Sequence, residues 1–454
     1  MKLNILFLCN KPESAADANT IVDHITAFER YSQHTIYTYS NVGDITPQLN
    51  LEKFDAIVIH YSSSLVNDYY ISPQSKLLLR NYPGLKIMFI QDEYRLINKI
   101  ISEIDYLNID VLFTCFPEEE MDRIYCPSKL PSLAKYSNLT GYIPQRLLDL
   151  SSSIPPISQR QIDVGYRSRK VPFWLGQLGY EKWHIVEQWN QYVGNDTRLS
   201  VDISYNEQDR IYGERWIQFL LTCKTTLGVE SGASVMDFTG QLQTLVDFHQ
   251  ATYPEDSFEK IQKIYLSEFE GLYKLNQISP RCFEAIALKT VLVLYEGDYS
   301  GILIPDKHYI PLKKDFSNIT EVINKIKNIR YLQDMADRAY EDIALNRQYH
   351  YSSFVHRFDE LISLQFKLRN KIQVNNPYQL GEFTQLLKIP KKRIQPHFKI
   401  KGFIQHKLSR VMHITVNQFA QISLLRKLKF FLTQRVVIFN PLLRVIKRYI
   451  LQLI

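Results

Sequence analysis

Short unbroken apolar runs punctuate the first 150 residues of the chain: NILFLC, HTIYTY, FDAIVIHY, LKIMFIQ and DVLFTCF. They are rich in Ile, Val, Phe and Tyr, and helical stretches of roughly 10 to 20 residues separate most of them. Runs that lack polar alternation belong to strands buried on both faces, as in a parallel sheet with helices above and below. The pattern predicts one α/β unit over residues 1–150. The Ser- and Pro-rich LDLSSSIPPISQRQ (148–161) interrupts it and predicts a linker over 151–161. The pattern then restarts. IDVGYRS, LSVDISY, CKTTLGVE, TVLVLY and HYIPL predict the strands of a second α/β unit over 162–375. Within it, SFEKIQKIYLSEFEGLYKL (257–275) reads as an inserted amphipathic helix, and 318–372 as mostly helical. Asn318, with Glu321 three residues later, predicts a capping box. Residues 376–454 read as a basic, helical tail. No internal repeat of solenoid period is present.

Composition changes this picture little. A chain of 454 residues supports two or three domains. The five cysteines, Cys9, Cys115, Cys126, Cys223 and Cys282, form no C-x-x-C pair. An odd count without that spacing argues against zinc and a disulfide framework and fits a reducing cytoplasm. The start, MKLNILFLCNKPES, has only about five apolar residues in a row and reads as a first strand rather than a signal peptide. No stretch approaches the ~18 apolar residues of a membrane span. Charge changes the picture more. The net charge is +7, yet residues 383–454 hold 15 Lys or Arg and no Asp or Glu. The remainder is therefore acidic, and the two parts call for different partners.

The most informative stretch is NQISPRCFEAIALKTVLVLYEGDYSG (276–301). Ser279 is a favoured N-cap and Pro280 a favoured first helical residue. The helix start offers free N–H groups and partial positive charge, to which Arg281 adds a forked cation suited to phosphate. Glu284, one turn on, could accept two hydrogen bonds from a vicinal diol. Arg281 and Glu284 at i, i+3 could equally form a surface pair. TVLVLY is a buried strand, and EGDYSG follows at its carboxyl end, the ligand edge of an open α/β sheet.

These residues resemble those of the GT-B-fold glycosyltransferases, and most nearly the bacterial group-1 type. That family carries two glutamates seven residues apart, the second followed by A-x-A-x-G-x-P-V. EAIALKTVL matches the second at Glu284, which in that family binds the nucleotide ribose. The sequence departs from the pattern at Asn276, the position of the first glutamate, and at Lys289 and Val291, the usual glycine and proline. DVGYRSRKVPFWLGQLGYEK (163–182) is similar to the family's first strand and basic loop, which face the donor diphosphate. Arg167 and Arg169 would do that work, with Lys182 as a further candidate; otherwise they sit on a solvated loop. TLGVESGASVMDFTG (226–240) resembles a donor-site loop in a subgroup that also carries ISPR-x-FEA and HYIPLKKDFSN. There Glu230 and Ser231 would line the nucleotide pocket, or merely end a strand. The subgroup likeness covers about 163–330. It implies two Rossmann-like domains facing a cleft, a nucleotide-sugar donor in the second and an acceptor in the first.

Transfer of a sugar needs cations at the leaving diphosphate and, in an inverting enzyme, a base for the acceptor hydroxyl. The base candidates are His60, ending FDAIVIH, and Asp92, ending LKIMFIQD, with Glu93 beside it. No D-x-D cluster calls for a divalent ion, so metal-independent transfer without a cofactor is expected. No G-x-G-x-x-G, P-loop or G-x-S-x-G is present, which counts against dehydrogenase, ATPase and α/β-hydrolase readings. In the tail, Leu442, Val445, Ile446, Tyr449, Ile450 and Leu453 share one face of a helical wheel. Arg444, Lys447 and Arg448 share the other. Such a helix suits an anionic membrane surface, so the chain is expected to be cytoplasmic and peripheral to the membrane. The tail could instead pack on the acidic body or bind nucleic acid; the missing base-reading motif counts against the latter. The acceptor expected is a glycan or lipid-linked sugar, as in bacterial surface polysaccharide or glycolipid assembly. The rival reading is a non-catalytic sugar-nucleotide or polysaccharide-binding module.

Overall fold

The computed structural model describes residues 1–12, 19–194 and 198–388. The first five runs form β1 (Asn4–Cys9), β2 (Thr35–Ser40), β3 (Ala56–Ile59), β4 (Leu85–Phe89) and β5 (Val111–Thr114). A sixth strand, β6 (Ala134–Ser137), has no apolar run to announce it and lies at the edge. All pair in parallel in the order β2-β1-β3-β4-β5-β6. The helices of this half are α1 (Asn19–Tyr31), α2 (Pro73–Asn81), α3 (Ile97–Leu107), α4 (Glu118–Ile124) and α5 (Gln145–Leu148). Side chains alternate along a strand, so each strand feeds two cores. Leu6, Leu8, Ile57 and Ile59 face one; Ile5, Phe7, Val58, Phe89 and Phe113 face the other. This is why the runs lack polar residues.

The second sheet is built from β7 (Ile162–Arg167), β8 (Val201–Ser204) and β9 (Cys223–Gly228), with α6 (Gln177–Tyr192) and α7 (Gly213–Thr222) between them. An excursion follows: β10 (Ser231–Gly232), α8 (Gln241–Thr252), α9 (Phe258–Ile261) and β11 (Asn276–Gln277). Then α10 (Pro280–Ala287), β12 (Val291–Tyr295), β13 (Tyr309–Leu312), α11 (Ile319–Lys327) and α12 (Ile329–Ala339) complete the unit. The five long strands are parallel in the order β13-β12-β9-β7-β8, and β10 and β11 form a small antiparallel ribbon. The architecture is therefore two Rossmann-like domains facing a cleft, the GT-B arrangement expected.

Several expectations need correction. The sequence pattern assigns α13 (Tyr351–Leu368) to the second unit, but it crosses back to the first sheet. Phe354, Phe358 and Ile362 pack there against Phe28, Phe89 and Phe113. Its apolar stripe fits either sheet, and only the fold decides which. The helix α14 (Leu380–Lys388) follows, with Phe383 edge-on to Tyr37 at 5.1 Å. The stretch read as a linker is docked rather than free. Ile157 is buried, and Arg160 donates to the carbonyls of Cys223 (2.9 Å) and Leu288 (2.8 Å) and to the Thr290 hydroxyl (2.8 Å). The helix expected over 257–275 is only α9 and one wide turn, Gln262–Leu266. The capping box does not form. Asn318 spends its side chain on the Lys313 amide and the Pro311 carbonyl, both at 2.9 Å, while Glu321 pairs with Lys325.

The excursion joins the domains on one side of the cleft. Asp237 donates its amide to the Tyr94 carbonyl (2.8 Å), Gln277 its side-chain amide to the Cys115 carbonyl (2.6 Å), and Thr140 its hydroxyl to the Ile278 carbonyl (2.6 Å). Phe173, Trp174, Val235 and Phe258 share one apolar core with first-domain side chains. Among the described residues no helix is long and apolar enough to cross a membrane. The tail residues 389–454, with the amphipathic segment 442–454, lie outside the described residues.

Candidate functional site

Each sheet has a point where consecutive connections leave in opposite directions, opening a crevice at the carboxyl ends of its strands. In the first sheet this lies between β1 and β3, and in the second between β7 and β9. The two crevices open onto the same cleft. The first-domain cavity measures about 990 Å³ and the second-domain one about 260 Å³. Asp92, Tyr94 and Ser231 line both.

The second-domain cavity gathers cations. Arg169, Lys182 and Arg281 all line it. Lys182 donates to the carbonyl of Gly232 at 2.8 Å. Burial, reinforced by the neighbouring Arg169 and Arg281 and opposed by Asp92, brings its ammonium down to about 8. Gly232 has φ 96, and a Cβ there would lie 1.8 Å from the Leu275 carbonyl, so this approach needs glycine. Arg281 stands in the first turn of α10, which Ser279 caps by accepting from its amide at 3.3 Å. Its guanidinium donates to the Arg167 carbonyl and lies 4.9 Å from the Trp216 ring centroid. The predicted helix start is thus present and faces the cleft, with Ser279 in the wall of one cavity and Pro280 in that of the other.

Other candidates sit elsewhere. Arg167 turns away and forms a bidentate pair with Asp202 at 2.8 and 2.9 Å, its guanidinium 4.5 Å from the Phe219 ring centroid. Its partner comes from β8, the strand beside it. Glu284 is buried behind Trp216, whose indole N–H donates to it at 2.8 Å. Burial raises its carboxyl, against lowering by Trp216, Arg281 and Arg146. Trp216, which no motif singled out, is the residue that faces the cavity there. Glu230 lines the cavity, but its carboxylate is engaged by the Asn276 amide group (2.7 Å) and the backbone amides of Asp298 (2.9 Å) and Tyr299 (3.1 Å). It anchors two loops. Asn276, in β11, is one of its partners. Ser231 stands where the two cavities meet.

Of the base candidates, His60 is not in the cleft. It is fully buried, with Nε2 3.0 Å from His24 Nδ1 and Nδ1 2.8 Å from the Ser62 hydroxyl. Burial holds His24 down to about 3 and His60 well below the ordinary range, with His24 adding to the latter. The pair is a neutral bridge between α1 and the end of β3. Glu93 is also buried, accepting from Thr114 (2.6 Å), the Cys115 amide (2.7 Å) and the Tyr125 hydroxyl. Burial carries it up to about 7 against those hydrogen bonds. Asp92 alone is exposed at the junction of the cavities. Its φ of 53 is in the left-handed region, which aspartate adopts more readily than most non-glycine residues. Among the described residues no cluster of three His, Cys, Asp or Glu could hold a metal ion.

No protein-family model and no curated protein matches the chain. Some solved structures resemble it weakly. Anabaena HepE in complex with UDP-glucose shares 9% identity at a TM-score of 0.42, over 80% of this chain and 100% of its own. Sucrose-phosphate synthase from Thermosynechococcus elongatus shares 10% at 0.42, over 80% and 100%. A glycosyltransferase from Rickettsia africae shares 9% at 0.45, over 81% and 99%.

Proposed function

We propose that the chain is a glycosyltransferase, moving a sugar from a nucleotide-sugar to an acceptor held by the first domain. The observation that carries this reading is the cluster of Arg169, Lys182 and Arg281 on one side of a shared cleft, with Asp92 at the junction. In this reading the three cations hold the donor diphosphate. The acceptor oxygen bonds to the sugar's anomeric carbon as the bond to the diphosphate breaks. The bond's electrons go to the diphosphate, which the cations stabilise, and the acceptor proton goes to Asp92. Fixed cations supply this charge without a metal, so turnover is expected to survive chelation. The group-1 likeness, a hexosyl donor and a role in surface polysaccharide or glycolipid assembly belong to the same proposal. So does a cytoplasmic, membrane-peripheral location through the basic residues 383–454. The test is nucleotide-sugar binding by wild type and Arg281→Ala. Loss of affinity in the variant supports the donor site; equal affinity refutes its placement.

A second reading, a non-catalytic binding module, is favoured by Asn276 and by a Glu230 whose carboxylate is already engaged. Donor binding without turnover on any acceptor would select it.

A further inference from the structure

The two halves of the cleft differ in charge. The second-domain half holds Arg169, Lys182 and Arg281. The larger first-domain half has one described basic residue in its wall, Lys11, and that ammonium is 3.3 Å from Glu29. Asp92 and Glu93 add carboxyl groups. The rest of this wall is largely hydroxyl and amide: Asn10, Tyr61, Ser62, Ser64, Gln91 and Thr140 are part of it. An anionic ligand here would lose hydration and meet no side-chain cation other than the paired Lys11 among the described residues, which is costly. A ligand rich in hydroxyls would find donors and acceptors on every side.

From this partition of charge we propose that the first-domain cavity binds an uncharged saccharide, and that this is the acceptor. Any phosphate or carboxylate of a larger acceptor lies outside the cavity. The proposal rests on the sugar-transfer reading of the cleft and narrows the class of its second substrate.

The experiment is direct binding to the full chain, by saturation-transfer NMR and calorimetry, without nucleotide. The panel contains neutral oligosaccharides beside uronic-acid, sulfated and phosphorylated counterparts of the same linkage. UDP- and GDP-sugars are titrated separately. The expected result is binding of at least one neutral glycan, with charged counterparts at least tenfold weaker. Asn10→Ala, which removes an amide from the wall of this cavity alone, should weaken the glycan several-fold and leave nucleotide-sugar affinity unchanged. Charged glycans binding as well as or better than neutral ones would overturn the proposal. So would nucleotide-sugar binding with no glycan binding, which would leave the donor reading standing. Neutral glycan binding without nucleotide-sugar binding would uphold the saccharide site and sink the transferase reading.

Discussion

Single residues decide what this cleft can do. Arg281 and Lys182 face it, whereas Arg167 is committed to Asp202. Charge-assisted hydrogen bonds contribute roughly 1.5–3 kcal/mol, so Arg281→Ala is expected to weaken nucleotide-sugar binding by about ten- to a hundredfold. Arg167→Ala should instead lower the melting temperature and change affinity little, a contrast visible in parallel thermal-shift and calorimetric series. Asp92→Asn should lower kcat by about a hundredfold or more, since a positioned base contributes roughly that, while donor affinity holds. Buried ionisable groups set the pH dependence of stability. His24 and His60 titrate lower in the fold than in the unfolded chain. The unfolded chain therefore takes up more protons below about 6.5, and their contribution is lost as pH falls through that value. Glu93 is displaced upward, to about 7, so its contribution has the opposite sign and is lost as pH rises toward 7. His24 lies among Phe28, Phe89 and Phe354 and is hydrogen-bonded to His60, so phenylalanine keeps the aromatic contacts and removes the titrating group together with that bond. His24→Phe should flatten the acid side of a melting-temperature profile between pH 7 and 5. An unchanged slope would contradict the neutral pair.

At the scale of elements, α13 carries the least expected assignment. Truncating a buried Phe costs about 3–5 kcal/mol. Phe358→Ala is thus expected to destabilise the first domain by that amount, in chemical denaturation followed by probes in the first sheet. The strands themselves were legible, because a parallel sheet covered on both faces demands apolar runs, and NILFLC or TVLVLY cannot serve much else. Ser279–Pro280 was legible for the same local reason: N-cap and first-turn preferences act within a few residues. What depended on distant partners was not. Nothing in RSRK says that Arg167 will meet Asp202 while Arg169 faces the cavity. Trp216 reaches Glu284 across 68 residues of sequence, and His60 meets His24 across 36. Glu230 lines the cavity, but the loops that engage its carboxylate are invisible in the sequence. Lys289 follows α10 with a φ of 53, a left-handed backbone that glycine would adopt more easily.

For the whole molecule, the excursion and α13 tie the two domains together around one cleft, and the basic tail follows. In the proposed account the tail is a separate device. A chain ending at residue 388 should keep its fold and donor affinity but lose binding to anionic vesicles, measured by co-sedimentation at low and physiological salt. Retained vesicle binding would show that the body, not the tail, meets the membrane.

The most direct test of the central claim is calorimetric titration of the full chain with UDP-, GDP-, dTDP- and CMP-sugars, beside Arg281→Ala and Lys182→Ala. The account predicts that one nucleotide class binds and that each variant loses at least tenfold in affinity while staying folded. Binding that both variants retain in full, or no binding by a folded wild type, would contradict a donor site in this cleft.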